Sequence, residues 1–140
     1  MLTVIEKVIF LQNINVFAEV PTEQLALLAA ITEEVSFLKG DIVYRENDPS
    51  DALYLVLDGR VRLHRENEEI AVAENKEPFG TWALFDDEPR LVTASVEEDS
   101  RLLRIDRDEF IDLLADHVQI AQGVLKTLVK RMRKLVEKVA

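Results

Sequence analysis

Between Glu33 and Asp106 the apolar residues arrive in short bursts, each closed by a turn signal, and no helical period fits them. The bursts are Glu34–Leu38, Asp41–Tyr44, Ala52–Leu57, Arg60–Arg65, Ile70–Ala73, Leu91–Val96 and Arg101–Ile105. The breaks are Lys39-Gly40, Asn47-Asp48-Pro49, Asp58-Gly59 and Glu98-Asp99. Asp58-Gly59 predicts a two-residue hairpin. In Arg60–Arg65, Val61 and Leu63 alternate with Arg62 and His64, so the first pair faces inward and the second outward. Evenly spaced short strands of this kind imply a sandwich or an antiparallel jelly-roll barrel, a β-roll.

Helical patterns flank the strands. Leu2, Ile5, Val8 and Ile9 share one face of a short helix over Leu2–Leu11, and Pro21 opens a second over Thr22–Ile31 with Leu25, Leu28 and Ala29 inward. After the strands, Asp106 and Glu109 form a capping box for a helix through Leu114, and Asp116 and Gln119 repeat the device for a longer one. That last helix carries Val118, Leu125, Met132 and Val139 seven residues apart, with Ala121, Leu128 and Leu135 as a second set. The pattern predicts a coiled-coil seam of Val118, Ala121, Leu125, Leu128, Met132 and Leu135, and so a homodimer; the alternative is that the same stripe packs on the barrel or on an adjoining domain. The expected fold is mainly β with flanking helices in a single domain: helices over 1–32, a roll over 33–106, and two helices over 107–140, the last one long.

Charge limits the partners. The net charge is −10, yet residues 124–140 hold six basic residues and one acidic, Glu137. The acidic remainder repels nucleic acid at long range. The basic tail (Lys126, Lys130, Arg131, Arg133, Lys134 and Lys138) has two readings, a contact with membrane lipid or nucleic acid and, the one favoured, a solvated helix face with cations near the helix carboxyl end. The chain has no cysteine, so thiolate metal sites and disulfides are excluded, which fits a cytoplasmic setting. No apolar run is long enough for a transmembrane segment.

Residues 78–90 interrupt the strands. Gly80 permits a sharp turn or a close approach. Thr81–Phe85 lacks strand alternation and suits one helical turn, whose first amides carry positive partial charge. Arg90 then supplies a forked, permanently charged partner for an anion. Arg90 has an alternative: to pair with Asp86, Asp87 or Glu88 and hold the loop shut. Two places suit Trp82, the only tryptophan: stacked on a purine, or in the core, which is the one expected. The acidic trio is read as solvated, with no metal site. His64 and His117 lie far apart with no nucleophile beside them, so no catalytic residue and no enzyme is expected.

The chain resembles the cyclic-nucleotide-binding domain family over about residues 17–132. The resemblance is carried by LKGDIVYREND, ALYLVLDGRVRL and EDSRLLRIDRDEF, and by the cassette Phe79-Gly80-Thr81-Trp82-Ala83-Leu84, which runs on through Pro89-Arg90-Leu91-Val92-Thr93. It implies that cAMP or cGMP is the ligand, with no other cofactor, and that Arg90 grips the cyclic phosphate. Gly80 and Ala83 would stand beside that phosphate, and Thr81, Trp82, Leu91 and Thr93 around the rest of the ligand. The chain departs from the family at Thr81, where a glutamate would accept from the ribose 2′-hydroxyl, and at Leu91 and Val92, where small residues are usual. It further implies that the last helix reports the ligand to an output partner. No helix-turn-helix or other DNA-binding domain follows, and the amino terminus already reads as helix, which suits a module of a larger protein. The alternative is a degenerate roll that binds no nucleotide and serves as a dimerisation or docking domain.

Overall fold

The structure, a computed structural model, describes residues 1–139; Ala140 and the side chain of Val139, the last residue of the seven-residue series, lie outside the described residues. The chain forms two compact units, one of Met1 with Ile31–Ile111 and the other of Leu2–Ala30 with Asp112–Ala140.

The first unit holds six strands: β1 (Thr32–Phe37), β2 (Ile42–Tyr44), β3 (Ala52–Arg65), β4 (Glu68–Ala73), β5 (Pro78–Phe79) and β6 (Thr93–Asp106). They make one antiparallel sheet in the order β1-β6-β3-β4, with β2 also on β6 and β5 on β3. This is the expected β-roll, though the sheet does not close into a barrel.

The hairpin expected at Asp58-Gly59 does not form, and neither does the turn at Glu98-Asp99. β3 and β6 run through both signals and pair with each other from Ala52↔Asp106 to His64↔Thr93. The register shifts three times between Val56 and Val61, opposite residues 96–102 of β6. Two turn signals have become one shared bend. Bulges add local twist and let a long two-stranded ribbon coil. Gly59 sits in the bend at φ 115°, where a Cβ would lie 2.7 Å from the Ser100 Cα. The Ser100 hydroxyl accepts from the Arg60 amide at 3.1 Å and donates to the Glu98 carbonyl at 2.7 Å, closing the backbone that the bulges opened.

Inside the roll, Tyr44, Tyr54, Val56, Val61, Phe79, Val96 and Leu102 form a buried cluster, with Leu63 and Val92 packed against it. Full burial of a side chain of this size is worth about 1.5–3 kcal/mol, so the cluster and the strand ladder outweigh the local turn preference at residues 58–59.

The second unit holds α1 (Val4–Leu11), a 3-10 turn over Asn15–Phe17, α2 (Thr22–Ala29) and α4 (Val118–Val139), while α3 (Arg107–Asp116) spans the division between the units. A capping box starts α1: Thr3 accepts from the Glu6 amide and the Glu6 carboxylate from the Thr3 amide. The apolar face expected on this helix is corrected, because Ile5 and Ile9 are exposed and Val8 and Leu11 are the buried pair. Leu25, Leu28 and Ala29 are buried on α2 as expected. Asp106 accepts from the Glu109 amide at 3.0 Å, starting α3.

α4 has two faces. Ile120, Gly123, Val124 and Thr127 are buried. Gly123 comes so close to Val20 that a Cβ would lie 2.8 Å from its Cα. Thr127 Oγ1 accepts from the Glu19 amide at 3.2 Å, and Lys130 pairs with the Glu19 carboxylate at 2.6 Å. On the other face Val118, Leu125, Met132 and Leu135 are exposed, joined by Val129 and Val136, while Ala121 and Leu128 are half-buried. No described helix is long and apolar enough to cross a membrane.

Candidate functional site

β5 pairs with β3 at Tyr54 and Leu55 and delivers the chain to Gly80 at φ 72°. This left-handed residue opens a 3-10 turn over Thr81–Leu84, the single helical turn expected there. The Ala83 amide donates to the Gly80 carbonyl at 3.1 Å, and the amides of Phe85 and Asp86 donate to the Trp82 carbonyl at 3.0 and 3.1 Å. Ala83, expected to turn its amide toward a ligand, uses that amide within the turn.

The turn also reverses the expectation for Trp82. Ala83 and Leu84 are buried and Trp82 is 77% exposed. In a tight turn adjacent residues point different ways, and the two smaller side chains took the inside. Leu91 is exposed as well.

Arg90 is the opposite case. Its backbone is laced to the loop before β3: its amide donates to the Asp48 carbonyl at 2.9 Å, and its carbonyl accepts from the Asn47 amide at 2.8 Å. The Ser50 hydroxyl donates to the Glu88 carbonyl at 2.6 Å nearby. The side chain is only 4% exposed. Nη2 donates to the Ala52 carbonyl at 2.7 Å and reaches Asp51 Oδ1 at 3.3 Å. The guanidinium carbon lies 3.9 Å above the centre of the Tyr44 ring, a cation–π contact. Nε is buried and has no hydrogen-bond partner among the described residues. Arg90 therefore pairs with neither Asp86, Asp87 nor Glu88, the loop-closing alternative. Its Asp51 partner is well exposed and also meets Arg104, at 3.5 Å.

Burial pushes the Tyr44 hydroxyl up to about 12, partly opposed by the Arg90 charge. Tyr44 stays neutral and gives the guanidinium an electron-rich face. Its ring belongs to a trio with Tyr54 and Phe79, at 6.2 and 6.1 Å between centroids.

These groups border an open pocket of about 440 Å³. Gly80, Trp82, Ala83, Arg90 and Leu91 line it, five of the seven residues expected around a ligand. Thr81 and Thr93 are not among the lining residues; Thr93 Oγ1 instead accepts from the Glu46 amide at 3.0 Å. The sequence reading missed Tyr44, Ser50, Leu63, Asp86, Glu88, Pro89 and Val92 as lining residues, and Asp51 and the Ala52 carbonyl as the anchors of Arg90. The Asn47-Asp48-Pro49 signal before β3 marked the anchoring loop without revealing its partner.

Chemically, the pocket offers one buried, permanent cation with an unused donor, apolar walls, and two carboxylates at its edge. A buried guanidinium with an unmade hydrogen bond is costly to leave alone. It suits an anion that accepts a forked pair of bonds.

The profile of the cyclic nucleotide-binding domain family matches residues 34–117. A CRP-like cAMP-activated global transcriptional regulator of Mycobacterium tuberculosis is 27% identical over 129 residues, covering 89% of this chain and 58% of its own. A lysophospholipase of Aspergillus fumigatus is 34% identical over 111 residues, covering 76% of this chain and 7% of its own. The chain thus spans between 7% and 58% of the length of these two relatives. The crystal structure of the N-terminal domain of a transcriptional regulator from Streptomyces coelicolor A3(2) superposes with a TM-score of 0.83 at 31% identity, covering 94% of this chain and 95% of that one. With the roll, the Gly80 turn and the buried Arg90 in place, the match over more than half of its length makes the chain a member of the cyclic nucleotide-binding domain family.

Proposed function

We propose that the domain is a regulatory sensor of cAMP or cGMP, with Arg90 gripping the cyclic phosphate and the long helix α4 reporting the ligand to a second copy or an output protein. The observation that carries this reading is Arg90: 4% exposed, with its Nε unpartnered, beside a glycine whose missing Cβ leaves room for it. Nature seldom buries a guanidinium half-satisfied without use for the remaining donor. The identity to a cAMP-activated regulator supports the same ligand class. Calorimetry with both nucleotides tests it, with Arg90→Ala as control. Saturable heat lost in the variant is expected, and no heat at millimolar nucleotide would remove the reading.

A second reading is favoured by two other observations. The Ala83 amide is already engaged inside the turn, and the α4 seam is exposed over Val118, Leu125, Met132 and Leu135. On this reading the roll binds no nucleotide and serves to dimerise or dock, in a cytoplasmic protein of which it is one part. Sizing by light scattering tests this second reading, and the calorimetry above separates it from the first. The docking reading expects dimers without ligand, dissociated by Leu125→Glu, and a monomer at high concentration counts against it.

A further inference from the structure

We propose that the exposed stripe of α4 is the docking seam for an acidic amphipathic helix of another protein, in a heterotypic coiled coil. The stripe is shifted from the expected seam. Ala121 and Leu128 are partly covered within the chain, and the exposed series runs Val118, Gln122, Leu125, Val129, Met132 and Val136. Its steps alternate between four and three residues, the a and d pattern of a coiled coil. The β-branched Val129 and Val136 stand at a, with Leu125 and Met132 at d, an arrangement that favours two strands. Every residue from Val129 to Lys138 is exposed, so this end of α4 has no packing of its own. A helical stretch this short is marginal in water without a partner.

Charge selects the occupant. α4 carries six basic residues and one acidic, Glu137. Lys126 and Lys130 approach Glu19 at 3.9 and 2.6 Å, whereas Arg131, Arg133, Lys134 and Lys138 have no ion-pair partner among the described residues. Lys126 and Arg133 edge the stripe at e positions. A second copy sets Ala121 and Leu128 against them in a parallel pairing and the same two cations in an antiparallel one, with a carboxylate in neither. A helix with glutamate or aspartate at its flanking positions pairs with them and is drawn in by the whole basic end. A lipid surface has no use for the four-three spacing, and α4 lacks the tryptophan and phenylalanine that seat a helix in a membrane interface. The pairing uses α4 alone and needs no nucleotide at Arg90, so it names the output partner without resting on a filled pocket.

Three synthetic peptides of three heptads each serve as probes for the full chain. One has valine and leucine at a and d with glutamate at e and g, the second keeps that seam with lysine at e and g, and the third keeps the glutamates with glutamine at a and d. In calorimetry the first is expected to bind saturably, at least about tenfold more tightly than either control, and to weaken as salt is raised. Val129→Glu should abolish binding, and Arg131→Glu with Arg133→Glu should turn the preference toward the lysine peptide. The substituted side chains are exposed, and circular dichroism checks that the variants fold. Equal binding of the glutamate and lysine peptides, or none, overturns the inference. So does a dimer that Val129→Glu dissociates and the glutamate peptide does not, which gives the face to a second copy. Sedimentation with phosphatidylserine vesicles in place of peptide binding overturns it too, in favour of lipid. Heat from a cyclic nucleotide without peptide binding sinks this inference and leaves the sensor reading standing.

Discussion

Gly59 and Gly80 share a local chemistry and differ in what surrounds them. Both have positive φ, 115° and 72°, and a Cβ on either would come within 3 Å of a neighbour. At Gly59 that neighbour is backbone, the Ser100 Cα in the facing strand of the β3–β6 bend. At Gly80 it is Nη1 of Arg90, the far end of a side chain beside an open pocket. The first glycine lets two strands coil together. The second makes room for a buried cation. A glycine is thus read by what its missing side chain would strike: backbone marks architecture, and the tip of a charged side chain marks a site.

The largest effect is expected from Gly59→Ala. It forces a residue with a Cβ into a φ that L-residues rarely adopt, at a cost of about 1–3 kcal/mol, and it drives that Cβ into a strand with no room to retreat. We expect a total loss of about 3 kcal/mol or more in urea denaturation. Adding Ser100→Ala removes the Oγ contact at 2.0 Å but leaves the Cα in place, so the double variant should recover little. Full recovery would show that the bend is set by the serine side chain rather than by backbone approach.

Gly80→Ala is expected to cost less, about 1 kcal/mol, because a φ near 72° lies at the small left-handed region, which is strained for an alanine but less so than the φ of 115° at Gly59. The strain should pass to Arg90 instead. In the Arg90→Ala background the alanine at position 80 meets open space on that side, so its cost should shrink, giving a coupling of about 0.5 kcal/mol or more. Under the sensor reading, Gly80→Ala alone should also lower cyclic nucleotide affinity about tenfold by displacing the guanidinium. Independent, additive effects would break the contrast with Gly59.

How much of this was legible beforehand follows from the same distinction. The roll, the flanking helices, the single turn after Gly80 and five of the pocket residues could be read from local pattern. The fate of Asp58-Gly59 could not, since a turn signal specifies φ > 0 and says nothing about whether the chain reverses or bulges. That choice was made by pairing with residues about forty positions away in sequence. The partners of Arg90 were hidden for the same reason: Asp51, the Ala52 carbonyl and the Tyr44 ring come from a segment about forty positions earlier in sequence. Trp82 was misread because its composition, a large apolar residue among others, argues for burial. Only the geometry of the turn decides which of its neighbours takes the inside.

The smallest expected effect concerns Tyr44, whose hydroxyl would lie 3.3 Å from a Cβ at position 80 and whose ring supports Arg90. Burial pushes its ionisation from the usual 10 up to about 12. A raised value means that the folded chain holds the phenol proton more tightly than the unfolded one. The resulting stability is fully present below pH 10 and is lost as pH rises toward 12. Tyr44→Phe removes that proton from the balance. Near pH 7 the variant should stay within about 0.5 kcal/mol of the wild type, since the ring and its cation–π face are kept. Between pH 10 and 12 the wild type should lose unfolding free energy more steeply than the variant, as read from urea titrations at each pH. Equal slopes would mean that the phenol ionises as freely in the fold as outside it. Arg90 would then sit over a ring open to water, and the sheltered surroundings that set Gly80 apart would be lost.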